Sequence, residues 1–217
     1  MTYKYETNMT SPYSSPRSAF GYGSKVTGIT IHHWGVDGQS HDGVVRYLCS
    51  RRPVNPTSAH YVTSAGRVSC IVDPDLAAWH SGNARGNGTT IGIECRPEMS
   101  PGDWATLVEL CADLEGHYGS LNYYTHYNWR GTSCPGRYGP RMGKLIDDVN
   151  AELRRRRDGG GKAGTPTSKG RRTHTVSPGD TLWAIGQRYN VSVAHLRKRN
   201  PKVNPNALQV GDTLQVD

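Results

Sequence analysis

Apolar residues recur along this chain with two periods, and the switches between them mark out its elements. Runs that alternate or are rich in β-branched residues predict strands at "VTGITIHHW" (26–34), "TTIGIEC" (89–95) and "LNYYTHY" (121–127). "SAHYVTSAGRVSCIV" (58–72) predicts a hairpin with its turn at Ser64–Gly66. Helical spacing appears in "SHDGVVRYLCS" (40–50), with Ser40 as N-cap. It returns in "SPGDWATLVELCADLEGHYG" (100–119), where Ser100 caps, Pro101 takes the first position, and Trp104, Leu107, Val108, Cys111 and Leu114 form the apolar stripe. "PRMGKLIDDVNAELRRRR" (140–157) predicts a last helix, with Met142, Leu145, Ile146, Val149 and Leu153 on one face. Strands alternating with helices predict an α/β domain, a mixed central β-sheet flanked by helices.

"DGGGKAGTPTSKG" (158–170) has almost no apolar content and reads as a flexible linker. Beyond it the pattern predicts a small βααβ module, with a strand, helices from about Thr181 and Ser192, and a strand from Thr213. Trp183, Ile185 and Leu196 are its expected core. The chain thus divides into an N-terminal extension (1–23), a large domain (24–157), a linker (158–170) and a C-terminal module (171–217).

Of the 217 residues, 35% are hydrophobic, enough for a packed core. No run approaches the roughly 18 apolar residues that span a bilayer. The first 25 residues are polar and turn-rich, so no secretory signal is expected. Net charge is +8 and uneven: residues 158–217 carry nine Lys/Arg against four Asp/Glu. Such a tail suits an anionic partner. The basic run Arg154–Arg157 lacks interleaved aromatics, which argues against nucleic acid. Five widely spaced cysteines with no CxxC pair fit a reducing compartment and buried thiols.

Alternation also sorts the polar side chains. If Ile29 and Ile31 face the helix-packed core, His33 joins them as a packed residue, and His32 and Trp34 face the other way. By the same rule Gly92 and Glu94 oppose Ile91, Ile93 and Cys95, and Tyr124 shares a face with His126. If these strands are neighbours, one surface collects His32, Glu94 and His126. Two histidines and a carboxylate on one surface suggest a metal site. Cys134, eight residues beyond His126, offers a third ligand, and Glu94 can instead serve as general base.

"ITIHHWG", "SAHYVTSAGRV", "AAWHSGN", "TIGIEC" and "HYNWRGTSCPG", in this order, resemble the type 2 N-acetylmuramoyl-L-alanine amidases, the family of T7 lysozyme-type amidases and peptidoglycan recognition proteins. The resemblance covers roughly residues 24–155. It implies Zn2+ held by His32, His126 and Cys134, with Glu94 as catalytic base and Thr132 beside the reacting carbonyl. It implies substrate or oxyanion contacts for His80, and cleft positions for His60, Trp79 and Trp34. The tyrosine that some members use matches Ala59 here. Tyr61 is expected on the same face as Ala59 without replacing it.

"HTVSPGDTLWAIGQRYNVSVAHLRKRN" with "LQVGDTLQV" resembles a LysM domain. That implies a shallow groove for N-acetylglucosamine glycans, lined by Gly179, Asp180, Thr181, Leu182, Asn206, Leu208, Val210 and Gly211. Together the two resemblances imply a monomeric phage endolysin, made in the host cytoplasm and acting on peptidoglycan after release. The alternative is a peptidoglycan-binding protein without catalysis, and Cys134 argues against it.

Overall fold

The computed structural model describes residues 2–52, 54–159, 172–177, 180, 182–189, 191, 193–203 and 208–217. The chain forms two compact units, Met1–Arg157 and Asp158–Asp217. In the first, the strands are β1 (Lys4–Glu6), β2 (Ser14–Pro16), β3 (Gly28–His33), β4 (Tyr61–Ser64), β5 (Arg67–Cys70), β6 (Leu76–Ala78), β7 (Thr90–Cys95) and β8 (Asn122–Thr125). The helices are α1 (His41–Cys49), α2 (Ala84–Thr89), α3 (Pro101–Tyr118) and α4 (Met142–Gly159).

Six strands form one mixed sheet in the order β1-β5-β4-β7-β3-β8. Only the β4–β5 hairpin in it is antiparallel, and its turn lies at Ala65–Gly66 as expected. β3 runs parallel between β7 and β8, so the assumed adjacency of these three strands holds. Ile29, Ile31, Ile91 and Ile93 are fully buried at the sheet centre. Burial on both faces explains their near-continuous β-branched runs.

The helices begin where the caps predict. The Ser40 hydroxyl accepts from Gly43 N. Ser100 and Asp103 form a reciprocal capping box, with Pro101 in the first turn. The buried stripe of α3 differs in part from the expected one. Leu107, Leu110, Cys111 and Leu114 are buried, and Trp104 stays half-exposed because its Nε1 donates to Asp148 Oδ2 at 2.7 Å. That bond ties α3 to α4.

The first 23 residues are no free extension. β1 adds a parallel edge strand beside β5, and β2 pairs antiparallel with β6. Arg17, 1% exposed, enters the protein interior. Its guanidinium donates to the carbonyls of Pro74 (2.8 and 3.1 Å), Gly88 (3.1 Å) and Thr90 (3.2 Å). A polar, turn-rich segment concealed this role because its contribution is hydrogen bonding rather than apolar burial.

The second unit follows its predicted order: β9 (Thr173–Thr175), α5 (Leu182–Tyr189), α6 (Val193–Arg199) and β10 (Thr213–Gln215), with β9 and β10 antiparallel. Val176, Leu182, Ile185, Leu196, Leu214 and Val216 fill its core. The Trp183 side chain and the linker segment 160–170 lie outside the described residues.

Candidate metal centre and cleft

His32 and Glu94 are register partners on β3 and β7, so their side chains rise side by side from one face. β8 stops one step short of His126. Its ladder with β3 ends at Ile31 opposite Thr125, and His126 opens a short 3-10 turn (His126–Asn128). The strand expected through 127 is thus two residues too long. The turn still brings the His126 ring to 4.5 Å from that of His32. Cys134 arrives from the following loop, with Sγ 3.7 Å from His32 Nδ1. One ligand atom from each of His32, His126 and Cys134 lies within 4.8 Å of the others.

This donor set fits zinc. Two imidazoles and a thiol match its preference for nitrogen and sulfur, and three ligands leave a fourth position open. Burial, then the neighbouring histidines, holds the His32 pKa well below its ordinary value, and burial lowers that of His126. Both rings therefore stay neutral, as ligands must. His126 Nε2 faces the Ser81 carbonyl at 3.2 Å, so its Nδ1 is left for a metal. Burial, then the Glu94 charge, pushes the Cys134 thiol up to about 12, so the free protein keeps that proton.

Glu94 lines a cleft of about 570 Å³ together with His33, Trp34, Gln39, Val44, Tyr47 and Thr57. Its Oε2 is buried without a hydrogen-bond partner, and burial raises the carboxyl to about 7. A group poised there can take up and release protons near neutrality. Thr132, partly exposed, accepts from Cys134 N at 3.2 Å through its hydroxyl oxygen.

Several expected roles change. His33 is half-buried rather than packed in the core: it lines the cleft, its Nδ1 accepts from Gly35 N, and its backbone N faces Cys134 Sγ at 3.4 Å. Trp34 does share a face with His32, but it is 8% exposed and packs with Val44, Leu48, Ala59 and Val62. Its edge still reaches the cleft. His60 is fully buried; its Nδ1 accepts from Gly92 N and its Nε2 lies 3.0 Å from the Leu76 carbonyl. It braces strands and is sealed from substrate. His80, 5% exposed, meets His32 instead of the cleft. Trp79 anchors the N-terminal segment, with Nε1 donating to Ser15 Oγ at 3.1 Å. Tyr61 is fully buried, in keeping with its expected failure to replace the missing tyrosine.

All five cysteines are free. Among the described residues no helix is long and apolar enough to cross a membrane.

In the second unit, Leu182 is a core residue, which removes it from an open groove. Asp180 Oδ2 lies 2.6 Å from His174 Nε2 and accepts from Ser177 N, so it shapes its loop from within. Leu208 is half-buried, while Val210 and Gly211 are exposed, and Gly211 N donates to the Val176 carbonyl at 2.8 Å. Gly179, Thr181 and Asn206 lie outside the described residues.

Comparison with known proteins accounts for both units. Residues 22–137 match the N-acetylmuramoyl-L-alanine amidase family, and residues 174–217 match the LysM domain family. The chain is 30% identical over 209 residues to the N-acetylmuramoyl-L-alanine amidase XlyA of Bacillus subtilis (strain 168), covering 90% of this chain and 63% of that protein. Its fold resembles the catalytic domain of XlyA (TM-score 0.53, 21% identity, 67% of this chain and 99% of that one). It also resembles the Staphylococcus aureus hydrolase AmiA (TM-score 0.56, 19% identity, 73% and 87%). The α/β chain with its His, His and Cys cluster belongs to the N-acetylmuramoyl-L-alanine amidase family and carries a LysM domain.

Proposed function

We propose that this protein is a zinc-dependent peptidoglycan hydrolase that cleaves the amide between N-acetylmuramic acid and L-alanine. The observation that carries the reading is the His32, His126 and Cys134 cluster beside the partnerless carboxylate oxygen of Glu94. When bound there, zinc supplies a Lewis acid that polarises a carbonyl and acidifies water. Glu94 accepts the proton that water loses as it attacks the amide carbon. It then delivers that proton to the nitrogen of alanine as the C–N bond breaks. Thr132 donates a hydrogen bond from its hydroxyl to the carbonyl oxygen as negative charge gathers there, and keeps its proton throughout. Trp34 and Tyr47 wall the cleft beside Glu94, where the stem peptide would lie.

The LysM domain holds glycan containing N-acetylglucosamine and raises the local concentration of the catalytic unit at the wall. Its exposed Val210–Gly211 turn offers one contact surface for that glycan. Solved relatives include a mutant endolysin from Bacillus subtilis, and an endolysin role in host lysis suits this chain. Mass analysis of digested peptidoglycan tests the activity. Free lactyl carboxylates on muramic acid together with new alanine amino groups are expected. New reducing sugars, or a cut elsewhere in the stem peptide, would refute it.

A further inference from the structure

The hydrogen bonds around Thr90 fix which nitrogens of His80 and His32 carry a proton. Thr90 has one hydroxyl proton, and the Gly86 carbonyl 2.7 Å away accepts it. Thr30 Oγ1 lies 2.8 Å from Thr90 Oγ1 and accepts from Trp129 Nε1 at 2.9 Å; because the Thr90 proton is already engaged, Thr30 is the donor of that pair. Thr90 Oγ1 therefore meets His80 Nε2, 3.4 Å away, as an acceptor. His80 must carry its proton on Nε2, which leaves a bare lone pair on Nδ1. His32 Nε2 lies 3.0 Å from that lone pair and must donate to it. The remaining lone pair of His32 then sits on Nδ1, the nitrogen that faces Cys134 Sγ.

We infer that His80 is a positioning residue that locks His32 in the tautomer needed to ligate metal through Nδ1. The inference rests on the zinc reading above and adds a residue to it. Two features prepare the place. The His80 and Ser81 amides both donate to Asn87 Oδ1, at 3.0 and 2.8 Å, which pins the loop. Position 92 is glycine, and a Cβ there would lie 2.4 Å from His80 Cγ. The ring thus rests directly on the β7 backbone. A partner that fixes the far nitrogen of a ligating histidine typically changes metal affinity by about 10–100-fold.

The test is zinc affinity of the full chain, measured by competition with a chelator. His80→Leu keeps bulk but offers no acceptor, and its affinity should fall by about 10–100-fold. His80→Asn places a carbonyl oxygen where Nδ1 was, and should stay within a few-fold of the parent protein. Equal affinity in His80→Leu, or an equal fall in His80→Asn, overturns the assignment. If the parent protein takes up no zinc, the metal reading itself fails, and this inference with it. Should His80→Leu not fold, nitrogen-15 spectra of the zinc-loaded parent protein decide. Protonated Nε2 on both His32 and His80 supports the assignment, and a proton on His80 Nδ1 overturns it.

Discussion

Glu94 and Cys134 are neighbours with separable jobs, and each has its own test. Glu94→Gln keeps the shape of the side chain but accepts no proton. Zinc content should be unchanged, while turnover falls by about 10²–10⁴-fold, the usual worth of general base catalysis. Full turnover in that variant would mean another group takes the proton. Cys134→Ser removes the thiol that completes the donor set. Zinc and activity should disappear together, and an active variant with bound zinc would exclude Cys134 as a ligand. At this scale the sequence was informative where the backbone is regular. Alternation along β3 placed His32 beside Glu94, and their register confirms it. It misjudged His33, because the turn carrying Gly136 packs against that ring, and no strand rule reports what a distant loop covers. The place of His80 was hidden for a related reason. Its seat is made by an absence, the missing side chain of Gly92.

Elements that rest on apolar periodicity or caps were legible, and those that rest on buried polar contacts were not. The capping box of α3 and the hairpin β4–β5 follow from local chemistry. α2 has the sequence "ARGNGT", poor in helix formers. It forms because Asn83 caps it and because its glycines permit close contact, a Cβ on Gly86 lying 2.5 Å from Ser81 Oγ. Its partner is the N-terminal segment that delivers Arg17. Arg17→Ala should strand the Pro74, Gly88 and Thr90 carbonyls and lower stability by about 3 kcal/mol or more in urea unfolding. A loss below about 1 kcal/mol would mean water replaces the guanidinium without cost. The β5–β6 connection adds a pH effect. Burial raises the Asp73 carboxyl from its ordinary value to about 7. The folded state then binds the proton more tightly than the unfolded chain, so stability falls as pH rises from about 4 to about 7. Asp73→Asn retains an acceptor for Asp75 N and should flatten that decline in melting temperature. An unchanged slope would assign the effect to other groups.

The whole molecule separates chemistry from charge. The candidate metal centre consists of buried and half-buried neutral rings, a thiol and one carboxyl, whereas the second unit exposes Arg197, Lys198 and Arg199 at the end of α6. The linker composition and the shift in charge made this division readable from the sequence, because both are properties of segments rather than of packing. It also predicts that salt will act on one activity and spare the other. Raising ionic strength from about 0.1 M to about 1 M shortens the Debye length from about 10 Å to about 3 Å. Attraction between exposed cations and an anionic wall should then weaken, while buried contacts at the centre are screened far less. Lysis of intact walls should therefore decline steeply with salt, and hydrolysis of a soluble muramoyl peptide should hold nearly constant. Parallel decline of the two rates would place the salt effect at the catalytic centre. Constancy of both would show that the basic tail does not contribute to wall capture, leaving glycan contacts to hold the enzyme in place.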